Sequence, residues 1–306
     1  MIDNAPELGV VKTVAKKYLN NIIGVERVPK GTSTYVYRVT TKSGIYYMRF
    51  LPENASFAAE VLVHDTLYAA GVSVPRVIGF EHKNEHTGLS LMLLDEIPGN
   101  CLEDDRPQTN LQGILREAGR QLAIIHSIPV NGFGWIDRKS YDTLKGEKAS
   151  FDKYFSEYLN DDLKTLCQYP FSDTEIIQIT DLMMTAQQML NVQNAVLVHG
   201  DFDISHIFHS ACKYSGIIDF GEIRGNNRLF DLATFVGFYQ ARTIYSYLLE
   251  GYCEITHLVD EDLYAAELMA LFIILRILSK KVNTNSHEYW YRLARKQLQQ
   301  ISAASH

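Results

Sequence analysis

The sequence lacks several features that mark other classes of protein. Its four cysteines are scattered and show no CxxC spacing, so neither a zinc site nor a disulfide framework is predicted. Reduced thiols are the simplest interpretation, and we expect a cytoplasmic protein. The first residues, MIDNAPELGV, contain no basic stretch followed by an apolar one, and we therefore expect no signal peptide.

Long apolar runs and an excess of basic charge are also missing. The most apolar run, LMALFIILRIL, contains Arg276 and directly follows Glu267, so it is too short and too interrupted to span a bilayer. We expect a buried core helix there and no association with a membrane. The net charge of −7 argues against nucleic acid as a partner and is compatible with a cationic small molecule.

The composition that remains is that of an ordinary globular protein. Hydrophobic residues make up 46% and charged residues 21% of the 306 residues, which is enough to build a sizeable core. This length suits one large domain or two modest ones.

The first hundred residues read mostly as strands. A segment rich in β-branched and aromatic residues, split by the turn signal TTKSG, predicts a hairpin from about Thr34 to Leu51. The apolar spacing of SFAAEVLVHDTLYAAGV predicts a helix that stops at Gly71. VPRVIGFE and LSLMLLDEI follow as two further strands, and PGNCLEDDRP is a polar connector.

After the connector the apolar period becomes helical. A capping Thr109 or Asn110 opens the first helix, and SFDKYFSEYLNDDLKTLCQY and SDTEIIQITDLMMTAQQMLNV predict two more. A short β patch, residues 195–219, comes next, and three helical segments complete the chain. The resulting fold class is α+β.

The β patch carries the residues best suited to chemistry. AVLV predicts a strand, HGDFDIS a loop, HIFH a short strand, ACKYS a turn and GIIDFG a strand that ends at Asp219. Asp201 and Asp219 thus lie at the ends of neighbouring strands, with His206 between them. Phosphoryl transfer from a nucleotide needs one carboxylate to orient the attacking hydroxyl, and two ligands to hold the Mg²⁺ that bridges the phosphates.

HGDFDISH followed by IIDFGE resembles the aminoglycoside phosphotransferase and choline kinase family. The resemblance implies a protein-kinase-like bilobal fold, with a small β-rich nucleotide-binding lobe at residues 1–97 and a larger, mainly helical lobe for catalysis and substrate at residues 98–306. It implies Asp201 as the catalytic aspartate and His206 and Asp219 as ligands of Mg²⁺, with ATP or GTP as phosphate donor.

The resemblance extends through the N-terminal part. VPKGTSTYVYRV takes the place of the loop that covers the phosphates, although it contains no G-x-G-x-x-G. LLDEIPG resembles the hinge that holds the base, with Leu94 as gatekeeper. By this resemblance the nucleotide is bound by Gly31, Thr32, Ser33, Thr34, the cation Arg49 with its partner Glu60, and backbone groups of Asp95 and Ile97.

Two departures from the family pattern leave alternatives open. His206 stands where an asparagine is commoner, and Mg²⁺ prefers oxygen, so one alternative is a pseudoenzyme that has lost its metal site. The macrolide kinases and the 2''-aminoglycoside kinases resemble this chain in having histidine there. After the DFG, GNNRLFD replaces the commoner G-D-P pattern, with Asn227 and Arg228 in place of the acid and the proline. Asp231, in the same segment, either braces the catalytic loop or is a helix N-terminal acid.

The sequence favours a small-molecule kinase over other functions. We expect a small-molecule acceptor, such as an amino-sugar antibiotic, a macrolide or choline, and the acidic charge balance is compatible with a cationic one. Asp203 and Glu222 either face that acceptor or are solvated acids. The alternative is a nucleotide-binding module without transfer activity. A protein-directed kinase is disfavoured, because no H-R-D-L-K or A-P-E segment is present.

Overall fold

The computed structural model describes residues 5–29, 33–52, 55–107, 110–239 and 242–304. Up to residue 107 the chain forms mainly strands. Its elements are α1 (Leu8–Ala15), β1 (Ile22–Val28), β2 (Tyr35–Thr41), β3 (Ile45–Leu51), α2 (Ala58–Ala69), β4 (Val77–Glu81), β5 (Ser90–Asp95) and β6 (Asn100–Cys101).

From residue 110 the described chain is mainly helical, with short strands between the helices. Its elements are α3 (Leu111–Ile125), β7 (Pro129–Val130), β8 (Phe133–Ile136), β9 (Gly146–Lys148), α4 (Phe151–Ser156), α5 (Leu159–Thr165), α6 (Asp173–Met189), β10 (Ala195–Val198), β11 (Ile207–Ser210), β12 (Lys213–Ile217), β13 (Arg224–Asn226), α7 (Phe230–Tyr239), α8 (Arg242–Ile255), α9 (Asp260–Lys280) and α10 (His287–Ala304).

The chain divides into two compact units that do not follow sequence order. The first comprises Met1–Pro107, Asp137–Thr143 and Ser205–Gly221, and the second comprises Gln108–Ile136, Leu144–Ile204 and Glu222–His306. The predicted boundary at residue 97 divides the chain by function and stays a prediction.

The first unit is built on an antiparallel sheet with strand order β1-β2-β3-β5-β4. Alternation along β2 buries Tyr37 and Val39 while Arg38, between them, stays half-exposed. Met48 and Phe50 of β3 join the same core, against which α1 packs. A second sheet in this unit, β12-β11-β6, holds the hairpin that precedes Asp219. The hairpin predicted over Thr34 to Leu51 is confirmed as β2 and β3, paired from Tyr35–Phe50 to Thr40–Ile45.

The second unit combines the sheet β7-β10-β13-β8-β9 with the remaining helices. Its centre is α9, in which nearly every residue from Ala265 to Leu275 is buried, so the predicted core helix is confirmed. The charged residue Arg276 is accommodated in this apolar helix by two contacts. Its Nε lies 3.3 Å from the Asp162 carboxylate, and its guanidinium lies 4.5 Å from the centroid of the Phe272 ring. Within the described residues, no helix has the length and apolar character needed to cross a membrane.

Several sequence predictions were wrong in detail. Helix α1 was missed, and the predicted single helix near residue 160 is broken into α4 and α5, because Tyr158 leaves helical geometry at φ −118°. After β13, where the sequence predicted three helical segments, the described residues lie in α7, α8, α9 and α10, and residues 240–241 between α7 and α8 are outside the described residues. Of the two predicted capping residues, Thr109 lies outside the described residues, and Asn110, at φ 68°, makes no side-chain capping bond to α3.

Glycines allow α3 and α8 to pack with their backbones in contact. A Cβ atom on Gly251 of α8 would overlap the carbonyl oxygen of Arg116, and one on Gly119 of α3 would overlap that of Leu248. Neither neighbour can move aside easily, because both are backbone atoms inside helices.

We predict that Gly251→Ala destabilises the protein although alanine is the better helix former. The propensity gain of about 1 kcal/mol is outweighed by overpacking of about 1–3 kcal/mol. Gly9→Ala in α1 is the matched control, because a Cβ atom at that position would meet nothing within 4 Å. Chemical denaturation measures both, and a Gly251→Ala protein as stable as Gly9→Ala would contradict the packing argument.

Candidate active site

Arg49 and Glu60 form a buried ion pair in the first unit. Arg49 lies on β3 and Glu60 in the first turn of α2, and Nη1 of Arg49 is 2.9 Å from Oε2 of Glu60. The two side chains are only 10% and 7% exposed. The sequence predicted that Arg49 and Glu60 would pair, and the fold does bring these two side chains together.

The surrounding charges keep Arg49 protonated. Burial alone would lower the pKa of Arg49, but the carboxylates of Glu60 and Asp219 raise it above its ordinary value. Burial raises the pKa of Glu60, and Arg49 opposes that increase. A guanidinium held charged inside the protein offers forked donors suited to phosphate oxygens.

Asp219 lies beside this pair on a turn after β12. Its Oδ1 is 3.5 Å from Nη2 of Arg49, and its side chain is 51% exposed. The strand ends at Ile217, so the prediction of a strand reaching Asp219 was wrong: Asp219 has φ 65°, a left-handed conformation outside the β region. The left-handed residue turns the chain into the short helix Phe220–Glu222.

His206 faces Asp219 across the base of the β11–β12 hairpin. Its Nε2 is 3.9 Å from Oδ2 of Asp219, and its carbonyl oxygen accepts a hydrogen bond from the Ile218 amide at 3.1 Å. The sequence predicted this proximity, and the strand pairing produces it.

The donor set of this corner fits Mg²⁺ only when phosphates complete it. No group of three or more His, Cys, Asp or Glu side chains that could hold a metal occurs in the described part of the chain. Mg²⁺ characteristically uses one or two protein carboxylates together with waters and substrate phosphates, so Asp219 with His206 beside it is compatible with that ion. The imidazole is the unusual member of the set.

Asp201 lies in the second unit, directly after the loop that leaves β10. The preceding amides of His199 and Gly200 donate to Oδ2 and Oδ1 of Asp231, at 2.7 and 2.8 Å. The Asp201 amide donates to Nδ1 of His199 at 3.4 Å. Only glycine fits at position 200, where φ is 86° and a Cβ atom would overlap the carbonyl oxygen of Glu222. The backbone that leads into Asp201 is therefore held by Asp231 and His199.

Asp231 is the buried anchor of that loop. Besides the two amides, its carboxylate is bonded to Nε2 of His126 at 2.9 Å, and Nδ1 of His126 lies 2.9 Å from the hydroxyl of Tyr252. Burial raises the pKa of Tyr252, which keeps the hydroxyl protonated. The tautomer of His126 with its proton on Nε2 satisfies both bonds. Although burial opposes it, hydrogen bonding from His126 lowers the pKa of Asp231.

The residues that replace the family's G-D-P segment have structural partners of their own. Oδ1 of Asn227 accepts from the Leu229 amide at 2.9 Å, and its Nδ2 donates to Leu190 at 3.0 Å. Arg228 pairs with Asp262 at 3.2 Å. Asp231 is held in its bracing position without the commoner motif.

The other predicted nucleotide residues are only partly placed. Gly31 and Thr32 lie outside the described residues, and Ser33 and Thr34 directly precede β2. The Asp95 amide donates to the Arg76 carbonyl oxygen at 3.1 Å, and the Asp95 carboxylate accepts from the Arg76 amide at 2.6 Å. Leu94 is buried, and Ile97 is half-buried beside Gly216.

The two predicted acceptor residues belong to the second unit, with Asp201. Glu222 pairs with Arg224 at 2.9 Å, and the Arg224 guanidinium lies 4.0 Å from the centroid of the Trp135 ring. Asp203 is half-buried two residues after Asp201. Thus the structure brings together Arg49, Glu60, His206 and Asp219 in the first unit, while Asp201, Asp203 and Glu222 lie in the second.

Sequence reasoning missed His126 and Arg138. His126 follows the last turn of α3, where an apolar period offers no sign of a polar role. Arg138 follows β8 on a segment with no motif, and it donates to the Gly221 carbonyl oxygen at 3.3 Å. No pattern in one sequence could identify either residue, because each acts through a partner distant in the chain.

The family model described as phosphotransferase enzyme family, APH, matches residues 24–265. The chain belongs to this phosphotransferase family. No curated protein sequence matches it.

Solved structures resemble this phosphotransferase over nearly its whole length. A thermostable mutant of aminoglycoside phosphotransferase APH(4)-Ia, in ternary complex with ADP and hygromycin B, is 16% identical with a TM-score of 0.67, covering 95% of this chain and 96% of that one. A candidate aminoglycoside phosphotransferase from Ralstonia eutropha JMP134 is 14% identical with a TM-score of 0.70, covering 96% and 97%.

A candidate fructosamine-3-kinase from Thermobifida fusca YX-ER1 is 16% identical to this phosphotransferase with a TM-score of 0.67, covering 97% and 100%. At these identities the likeness shows the fold. The kinase-like α+β fold expected from the sequence is confirmed.

We predict that Asp231→Asn lowers the free energy of unfolding by about 2–5 kcal/mol at pH 7, because buried donors lose a charged acceptor. The native pKa of Asp231 lies below its unfolded value, so this contribution is complete above about pH 4 and is lost as the pH falls through the native pKa. Urea titrations between pH 7 and pH 3 measure it.

Asp181→Asn, at an exposed position of α6, is the matched control and should change stability by less than about 0.5 kcal/mol. Equal stabilities of the two variants at pH 7, or a gap between them that widens with acid, would contradict the assigned role of Asp231.

Proposed function

We propose that this phosphotransferase is a small-molecule kinase that moves the γ-phosphoryl group of ATP or GTP to a hydroxyl of an aminoglycoside-like or other small acceptor. The observation that carries the proposal is the buried pair of Arg49 and Glu60 with Asp219 3.5 Å from the same guanidinium. A charged arginine beside an exposed carboxylate is an arrangement that a metal–nucleotide complex would complete.

Arg49 is the residue proposed to hold the nucleotide phosphates. Glu60 fixes its guanidinium, which is cationic at any physiological pH. The resemblance to the family assigns the phosphate contacts to Gly31 to Thr34 and the base contacts to backbone groups of Asp95 and Ile97. Mg²⁺, when bound by Asp219 and His206, supplies positive charge against the phosphate oxygens.

Asp201 is the proposed catalytic residue. Its carboxylate orients the acceptor hydroxyl and takes its proton while the new oxygen–phosphorus bond forms and the bond to the β-phosphate oxygen breaks. The loop around Asp201 is preorganised by His199 and Asp231, so little motion is required of it at the moment of transfer.

The acceptor is proposed to be a small, cationic, hydroxyl-bearing molecule found in the cytoplasm. Asp203 and Glu222 are two acids close in sequence to Asp201 or to the Asp219 turn, both in the unit that carries Asp201, and the net charge of −7 would attract a cation. One solved neighbour holds hygromycin B and another is described as a fructosamine-3-kinase, so both an aminocyclitol antibiotic and a ketosamine belong among the candidates.

We predict nucleotide consumption that depends on both acceptor and Mg²⁺. A coupled assay would test ATP and GTP in parallel against aminoglycosides including hygromycin B, macrolides, choline and fructosamines. Turnover with one acceptor class at least about 100-fold above the acceptor-free rate supports the proposal. Nucleotide-dependent thermal stabilisation without turnover on any acceptor would favour the alternative, a nucleotide-binding module without transfer activity.

Asp201→Ala should lower kcat by about 10²–10⁴-fold, while the nucleotide dissociation constant changes by less than about threefold. Asp219→Asn should instead weaken binding of the nucleotide when Mg²⁺ is present. Isothermal titration calorimetry and initial rates separate the two effects, with Asp181→Ala as control. A fully active Asp201→Ala protein would exclude Asp201 as the base.

A further inference from the structure

The strongest unassigned feature is the segment Asp137–Thr143, which belongs to the first unit although the strands on both sides of it belong to the second. The segment is internally ordered. The Lys139 amide donates to Oδ1 of Asp137 at 3.0 Å, and the Ser140 amide donates to the Asp137 carbonyl oxygen at 3.0 Å. This local bonding reduces the entropy lost in holding the segment's side chains in place.

Tyr141 anchors the segment on the first unit. Its hydroxyl lies 2.8 Å from Nδ1 of His82, the same nitrogen that Ser56 reaches at 2.7 Å. The rings of His82 and Tyr141 are in contact, with centroids 4.3 Å apart, and Phe80 packs against His82 from 4.5 Å. The anchor therefore combines ring packing with a hydrogen bond, at a site distant in sequence from Asp219.

Arg138 extends from the anchored segment to the turn that carries Asp219. Its Nη2 donates to the carbonyl oxygen of Gly221 at 3.3 Å. Arg49 holds the same turn through Asp219, at 3.5 Å. Two guanidinium groups thus hold the three residues from Asp219 to Gly221, one at the carboxylate and one at the backbone. The turn requires such support, because Asp219 is held at φ 65°.

The charge of Arg138 also acts on this corner. Burial raises the pKa of Glu60, and both Arg49 and Arg138 oppose that increase. Arg49 and Arg138 therefore balance Glu60 and Asp219 within the described part of the first unit, and the corner is close to neutral before any ligand binds.

We propose that Arg138 is a positioning residue: by bonding the Gly221 carbonyl oxygen, it fixes the Asp219–Gly221 turn in the conformation that presents the Asp219 carboxylate to a nucleotide-bound divalent cation. The proposal rests on the proposed function for the role of Asp219 alone. Residues that orient a metal ligand without touching the metal typically contribute about 10–100-fold to metal affinity.

The first test needs neither metal nor nucleotide. Hydrogen–deuterium exchange of the amides from Phe220 to Glu222 should be about tenfold faster in Arg138→Ala than in the parent protein. Arg138→Lys keeps the charge and one donor and should restore much of the protection. Tyr141→Phe removes one anchor bond and should give a smaller increase. Arg38→Ala, which removes an arginine from β2 that pairs with exposed Glu26, is the matched control.

The second test measures ATP binding by calorimetry with Mg²⁺ and with EDTA. Arg138→Ala should weaken binding about tenfold or more with Mg²⁺ and less than about threefold with EDTA. Exchange rates equal to those of Arg38→Ala, or an equal loss of affinity with and without Mg²⁺, would overturn the proposal. If Asp219→Asn leaves Mg²⁺-dependent binding unchanged, the proposed function fails while the exchange experiment still decides the role of Arg138.

Discussion

The arrangement of the first unit depends on one buried ion pair, because a charged group removed from water needs an opposite charge beside it. Arg49 and Glu60 are almost completely removed from solvent, and either alone would be an uncompensated buried ion. The pair fixes α2 against β3, because moving either element would separate the two charges. Asp219 is the third member, on a turn exposed enough to accept a ligand. The packing of α2 on β3 and the proposed binding of phosphates thus both depend on the charged, buried guanidinium of Arg49.

The second unit also buries a charged group, in this case the carboxylate of Asp231. Asp231 is fully buried and has no cationic arginine or lysine among the partners that bond it. Two backbone amides and one imidazole satisfy it, and two of these donors are the residues that immediately precede Asp201. The hydrogen bonds that offset the cost of burying the Asp231 carboxylate are therefore the same bonds that fix the backbone of the loop before Asp201. Asn227 and Arg228, which stand in place of the family's G-D-P residues, bond to Leu190 and Asp262 and not to Asp231.

The sequence predicted the parts of the molecule that depend on local pattern. The β-branched and aromatic residues on both sides of the TTKSG turn predicted the hairpin correctly, and the apolar run around Leu271 predicted the buried helix. The same reasoning failed where conformation is set by a single backbone angle, as at Tyr158 and Asp219, because side-chain periodicity carries no information about one residue's φ. The placement of His206 opposite Asp219 could be predicted because a short hairpin joins them.

Contacts between residues far apart in sequence were beyond that reasoning. Arg138 meets Gly221 and His126 meets Asp231 across separations of 83 and 105 residues, and neither residue lies in a motif. Arg138 bonds the backbone that follows Asp219, and His126 bonds Asp231, which holds the backbone that precedes Asp201. Neither Arg138 nor His126 is expected to touch a ligand. Motifs record the groups that perform chemistry, whereas the groups that hold them in place can come from any element that the fold brings near. The proposed roles of Asp201 and Asp219 could therefore be inferred from the sequence, whereas the contacts of His126 and Arg138 are visible only in the structure.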